Sequence, residues 1–398
     1  MPIVKISQHR FDERLTKLRK KLTDEKIKHF IVFNPTHIYY LTGFVHIPTE
    51  RPFALVVQDS EISFFVPELE KQHVEEEVPQ AAKISTYFDY PDATHPMKLF
   101  AKFLKKELGI SGNFGAESPG SPSRQGYEGP KLEEVLGIPV KVFPELLTNM
   151  RVIKDADELA CIRESSMWAN LAHQLLQEKT TVGANEVEVT TAASLEASMA
   201  MGKALGVSYR PFTFRGLPVY AGYRGQIGPY SAIPHAMTRF AVFQPGDTLV
   251  TGATANVAGY YAELERTMFL GSPNEKQRKY FEIMMEAQDA AFNAFAPGEP
   301  CSKIDEASRA VFKQHGVMNL VQHHTGHAIG LEGHEKPFLD HGMDVIMEPG
   351  MVFTVEPGIY DRSLGGFRHS DTVFITEDGT ECVTYYPRDI EYLTIPLR

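Results

Sequence analysis

Apolar positions in the first third of the chain switch between helical and strand spacing. Phe11, Leu15, Leu18 and Leu22 fall at steps of four, three and four, which places them on one stripe of a helix over residues 11–28. The run FIVF at 30–33 follows, then NPTHIYYLTGF. RPFALVV at 51–57 reads as a buried strand, and EISFFVP at 61–67 as its hairpin partner across Gln58–Ser60. Helix and strand patterns then alternate to about residue 145, which predicts an α/β domain with a mainly buried sheet.

MRVIKDADELACIRE at 150–164 has the pattern of a domain junction: an extended stretch, Asp155 as N-cap, then a helix with Leu159 and Ile162 on one face. The expected domains are therefore 1–152 and 153–398. After residue 210 the texture changes. The Gly-rich, aromatic segment GYRGQIGPYSAIPH leads into strand-like runs at 248–252, 257–262 and 351–355, separated by helical patterns near 274–296 and 303–315. This predicts an antiparallel sheet with helices on one side, an α+β second domain.

Composition narrows the function classes. With 43% apolar and 23% charged residues in 398, the chain reads as globular and long enough to bury full cores without staples. Its net charge of −11 argues against nucleic acid or an anionic membrane as partner, and leaves a small-molecule substrate. The basic group Arg14, Lys17, Arg19, Lys20 and Lys21 is expected to be a solvated helix face. Cys161, Cys301 and Cys382 are far apart and odd in number, so no disulfide framework is expected. The N-terminus lacks an apolar signal core, and no run long enough to span a bilayer occurs, which makes the cytoplasm the expected location.

Residues with catalytic potential gather in the second domain. HHTGHAIGLEGHE at 323–335 supplies His323, His324, His327 and His334, with Gly326 and Gly330 suited to a turn. His235 stands in IPHAM, Glu263 and Glu265 in GYYAELERT, and Glu356 in FTVEPGIY. On a strand, positions 263 and 265 share a face, where paired carboxylates raise each other's pKa or take a cation. Singly, such residues are ordinarily satisfied or solvated; Glu265 beside Arg266 alone would read as a structural ion pair.

In order, PGD (245–247), GYYAELERTMF (259–269), HHTGHAIGLEGHE (323–335), MEPGMVFTVEPGIY (347–360) and GFRHSDTVFITEDG (366–379) resemble the superfamily of prolidase, aminopeptidase P, methionine aminopeptidase and creatinase. NPTHIYYLTGF and RVIKDADELACIR resemble its creatinase and prolidase subgroup. The resemblance implies an α/β N-terminal domain, an α+β C-terminal pita-bread domain and a homodimer. The metallopeptidases of this superfamily hold two metal ions with Asp, Asp, His, Glu and Glu. Here those positions carry Gly252, Glu263, His327, Glu356 and Ser370. Glycine donates nothing and a neutral hydroxyl is a poor ligand for a hard divalent ion, so a dinuclear centre is not expected.

Creatinase works without metal, and its GYYTALERT is similar to GYYAELERT here. That resemblance assigns His235 as the proton-transferring histidine, Glu265 and Glu356 as substrate-binding glutamates and His327 as the second active-site histidine. It gives Arg51 the substrate carboxylate, delivered into the partner subunit's site. Glu263, His323, His334 and Ser370 complete the expected substrate pocket. The loop after His334 is shorter than in creatinase and offers only Lys336 where a second Arg is required; a further creatinase His falls on Ser370, beside His369; His323 and His334 keep the peptidase spacing. The resulting expectation is a cofactor-free hydrolase of a C–N bond in a creatine-like cation, its guanidinium clamped by two carboxylates. The alternatives are an Xaa-Pro dipeptidase or aminopeptidase with one metal at Glu263, His327 and Glu356, or a ligand-binding pseudoenzyme.

Overall fold

The computed structural model describes residues 4–122, 126–206, 209 and 216–397. They form two compact units, Ile6–Arg151 and the chain from Val152 onward together with the residues before Ile6.

The first unit is built on a six-stranded mixed sheet. Its strands are β1 (His29–Val32), β2 (Ala54–Gln58), β3 (Ile62–Pro67), β4 (Lys83–Tyr87), β5 (Phe114–Ala116) and β6 (Lys141–Val142), in spatial order β4-β3-β2-β1-β5-β6. β2 and β3 form the expected antiparallel hairpin, with Ala54 opposite Phe65. β1 runs parallel to β5, as a helical crossover requires. Ile31, Val56, Phe65, Phe100 and Leu104 pack into the core on one face. The helix Gln8–Asp24 buries Phe11, Leu15, Leu18 and Leu22, the stripe set by their spacing. Arg14 departs from the solvated face expected of it. It is buried, its guanidinium lies over the Phe11 and Tyr40 rings, and it donates to the Tyr40 carbonyl at 3.0 Å. A planar, weakly hydrated cation can be buried this way where Lys could not.

The second unit opens with the helix Ala156–Lys179. Asp155 caps it by accepting from Asp157 and Glu158 backbone N–H groups, and Glu158 reaches back to the Asp155 N–H at 2.8 Å. Its buried face carries Glu158, Cys161, Ile162 and Ser165, while Leu159 is only half-buried. Glu158 is tolerated there because Tyr260 donates to it at 2.8 Å.

Several short ladders replace the single sheet expected. β7 (Val219–Gly222), β9 (Gly252–Val257) and β10 (Tyr260–Tyr261) form one; β8 (Thr248–Val250) and β11 (Thr267–Leu270) belong to a second. The third holds β12 (Gly326–Ala328), β13 (Glu335–Leu339), β14 (Val352–Val355) and β17 (Asp371–Thr376), while β15 (Gly358–Asp361) and β16 (Gly365–Arg368) pair separately. The run 257–262 is split between Val257 at the end of β9 and the two residues of β10, because Ala258 and Gly259 take positive φ values of 49° and 87° and turn the chain. Helices Glu275–Ala294 and Ser302–Gln314 lie over a core of Ala291, Ile304, Ala328, Leu339, Phe353 and Val373. Gly326 opens a strand rather than the turn expected of it: a Cβ there would stand 2.0 Å from the Thr354 carbonyl oxygen, so β12 reaches β14 only with glycine.

Candidate active site

Three links through backbone groups bring the functional side chains together. The Glu265 and Ser370 backbones exchange a pair of hydrogen bonds at 3.0 Å, which joins the segment before β11 to the end of the β16 strand. Glu263 N–H donates to Thr372 Oγ1 at 2.9 Å, and Glu356 N–H to the Thr325 carbonyl at 2.7 Å. The result is a cluster in which Glu263, His327 and Glu356 each present a donor atom within 4.8 Å of the others.

His327 is fully buried in β12. Its Nδ1–H donates to the Ala328 carbonyl at 3.0 Å, which fixes the ring and leaves Nε2 facing the cluster. Nε2 lies 3.2 Å from Glu356 Oε1, close enough for charge pairing but out of line for a full hydrogen bond. The His334 ring stacks on His327 at 3.8 Å between centroids and is itself exposed. Ser370 donates its hydroxyl to Glu263 Oε1 at 2.7 Å.

Charge in the cluster is unevenly shared. Burial, and then the neighbouring Glu356 and Glu265, push the Glu263 carboxyl up to about 7. Burial would favour a protonated Glu356, but contact with His327 and the charge of Arg368 hold it down to about 2. Burial opposes charge on His327 as well, yet its contact with Glu356 and the charges of Glu263 and Glu356 raise it to about 9. Burial lowers His323 below the ordinary histidine range. His323 Nδ1–H donates to the His324 carbonyl and Nε2 takes the Tyr360 hydroxyl, each at 2.7 Å; the Tyr360 oxygen in turn accepts from Arg368 Nη1 at 3.2 Å.

Two arginines that sequence reasoning did not single out complete the site. Arg368 Nε contacts Glu265 Oε2 directly and lies 3.9 Å from Glu356 Oε2. Arg224 Nη2 donates to Glu265 Oε1 at 2.9 Å. Arg368 was within reach of the strand period, since positions 368 and 370 share a face. Arg224 had a weaker signal, as the one charged side chain within GYRGQIGPYSAIPH.

The structure brings together Glu263, Glu265, His323, His327, His334, Glu356 and Ser370. His235 sits on the exposed turn after the Gly228–Ala232 helical turn, near enough for its charge to act on His334. His369 points to the opposite face and packs edge-on against Phe281 at 5.1 Å. Arg51 belongs to the N-terminal unit, where it pairs with Glu50 at 2.7 Å.

The donor set fits one divalent ion. Glu263, His327 and Glu356 supply two hard oxygens and an oriented imidazole nitrogen, the combination such ions take. It does not fit a second. Gly252 has no side chain, Ser370 is neutral and engaged with Glu263, and Arg224 fills the adjoining space.

Residues 160–377 match metallopeptidase family M24, and residues 14–125 match the creatinase/prolidase N-terminal domain. The chain belongs to metallopeptidase family M24. Among its M24 relatives is an Xaa-Pro dipeptidase of Pyrococcus furiosus, 31% identical over 386 residues, or 95% of this chain and 99% of that protein. An Xaa-Pro dipeptidase of Lactobacillus delbrueckii subsp. lactis is 28% identical over 96% of this chain and 99% of its own length. The crystal structure of the prolidase from Pyrococcus horikoshii OT3 superposes with a TM-score of 0.78, at 26% identity, covering 95% of this chain and 99% of that one. The fold is thus an α/β creatinase-type N-terminal domain followed by a pita-bread M24 domain, and the M24 chain is a hydrolase.

These relatives overturn the expected creatinase-like branch and the metal-independent hydrolysis of a creatine-like cation. The geometry gives the physical reason. Glu265 was to clamp a substrate guanidinium, but both of its oxygens already face guanidinium groups of the protein, Arg224 on one side and Arg368 on the other. Glu356 is likewise engaged by His327 and Arg368. The match to GYYTALERT is local, whereas the likeness to the Xaa-Pro dipeptidase of Pyrococcus furiosus covers 95% of the chain.

Proposed function

We propose that the protein is a metal-dependent dipeptidase that cleaves the peptide bond before a C-terminal proline, with one divalent ion held by Glu263, His327 and Glu356. The observation that carries this reading is the convergence of those three donors, His327 buried and the two carboxylates half-buried, in a chain that aligns over 95% of its length with an Xaa-Pro dipeptidase.

An ion bound there supplies Lewis acidity and an acidified water. The chain's own residues do the rest. Nδ1–H of His327 is committed to the Ala328 carbonyl, so Nε2 keeps one direction and one lone pair for the ion. Ser370 holds Glu263 in a fixed rotamer through its hydroxyl. Glu265 lies between two guanidinium groups and anchors them rather than a ligand. His334 and His235 line the exposed rim, where their N–H groups suit a substrate carbonyl or carboxylate. The Tyr360 hydroxyl donates to His323 Nε2 and accepts from Arg368, which fixes all three side chains.

The test is turnover of Xaa-Pro dipeptides before and after chelation. Activity should vanish on removal of metal and return with Mn²⁺, Co²⁺ or Zn²⁺, while dipeptides lacking proline and creatine itself are left intact. A reconstituted protein that cleaves no Xaa-Pro dipeptide would remove this reading.

A further inference from the structure

We propose that the guanidinium of Arg224 replaces a second divalent cation, so that the site works with one ion and one fixed arginine charge. The inference rests on the single-ion reading above and extends it to what fills the remaining space.

Three observations support it. A Cβ built on Gly252 would stand 3.4 Å from Glu265 Oε1 and 3.8 Å from Arg224 Nε. Position 252 therefore faces the site, and what it faces is an acid already neutralised by a base. Next, Glu265 receives Arg224 on Oε1 and Arg368 on Oε2, so two positive groups converge where the missing Asp and Glu ligands would have enclosed a cation. A divalent ion placed there would find the Ser370 hydroxyl and two carboxylates already engaged, Glu265 by both guanidinium groups and Glu263 by Ser370, and would meet repulsion from Arg224 and Arg368. Last, Arg224 has a backbone φ of 51°, in the left-handed region that an arginine seldom enters. Such strain persists only where the surroundings hold it, here through Glu265 at 2.9 Å and Gln226 at 3.3 Å. Arg224 Nε is buried without a hydrogen-bond partner among the described residues, which leaves a donor free on the inner side of the fork.

The exchange has a chemical cost and a chemical gain. A guanidinium carries one positive charge and cannot acidify water as a metal does. It does present fixed N–H donors to a developing anion, and it does not dissociate.

Metal counting tests this without any substrate. Chelator-treated protein should take up one Mn²⁺ per chain by calorimetry and elemental analysis, with the electron paramagnetic resonance spectrum of an isolated ion. The Gly252→Asp/Ser370→Glu variant should still bind one, because Arg224 remains in place; adding Arg224→Ala should allow two. Two ions, or an exchange-coupled pair signal, in the unmodified protein would overturn the proposal whether or not the variants fold. Two ions in the double variant with Arg224 retained would overturn it as well, and uptake of none would remove both this proposal and the single-ion reading. One bound ion with no turnover of Xaa-Pro dipeptides would leave Arg224 in this role and remove only the proposed activity.

Discussion

Glu356 is held by an imidazole on one oxygen and a guanidinium on the other. Glu356→Gln keeps its shape and removes its charge. Divalent-ion affinity should fall by at least about 100-fold, a loss that even outer-sphere partners of a metal can produce. Calorimetric titration measures it, and affinity within a few-fold of the parent would exclude Glu356 as a ligand. A pH dependence follows from the same cluster. Glu263 is raised to about 7 and His327 to about 9, and both must lose their protons to ligate. Ion affinity should therefore climb with pH through this window. Near pH 7 binding should release roughly one to two protons, read by titration in buffers of different ionisation enthalpy; binding with no proton release contradicts it. That Glu263, His327 and Glu356 share a site was legible in the sequence because each sits in a short motif, although the expectation there was a substrate pocket without metal. The pairing of Arg224 and Arg368 with Glu265 was not, since it spans 41 and 103 residues of chain; strand period places Arg368 on a face but does not name its partner.

At the scale of elements, caps and helices were readable and strand boundaries less so. Asp155 before a periodic apolar run is a local signal, and the helix Ala156–Lys179 starts there with both halves of the capping box formed. Asp155→Ala should cost about 1 kcal/mol of stability in urea unfolding, the ordinary value of an N-cap. The run 257–262 misled because its apolar residues flank a left-handed turn at Ala258–Gly259, where backbone geometry overrides the pattern. One buried ion pair ties three elements. Asp371 at the start of β17 accepts from Arg266 at 2.8 Å, from Thr384 at 2.7 Å and from Gln288 of the helix Glu275–Ala294 at 3.0 Å. Asp371→Asn leaves the Arg266 charge buried with too little compensation, and a loss of about 3–5 kcal/mol is expected. A variant as stable as its parent would show that the pair contributes nothing net.

For the whole molecule, the decisive fact is that the donor cluster belongs to one of two units, each with its own core. Ion binding should stabilise the unit that holds the site by about 2.7 kcal/mol at a hundredfold excess over Kd. In calorimetry the transition of the C-terminal unit should move upward with added Mn²⁺, and that of the N-terminal unit should follow only as far as the two unfold together. An N-terminal transition that moves alone would place the ion elsewhere. The two-domain division was legible from the switch in pattern at residues 150–164, because a capped helix start after an extended stretch is a local feature.

Gly252 and Arg224 also constrain how this site can change by single mutations. An acidic side chain introduced at 252 alone would crowd Glu265 and draw Arg224 into a second ion pair, without completing a cation cage. Loss of Arg224 alone would strip the buried Glu265 of one of its two counter-charges. Each first step back toward a five-ligand centre is thus unfavourable on its own, and only changes made together relieve it. The arginine acts as a latch: a two-ion centre at this site is several coupled substitutions away rather than one.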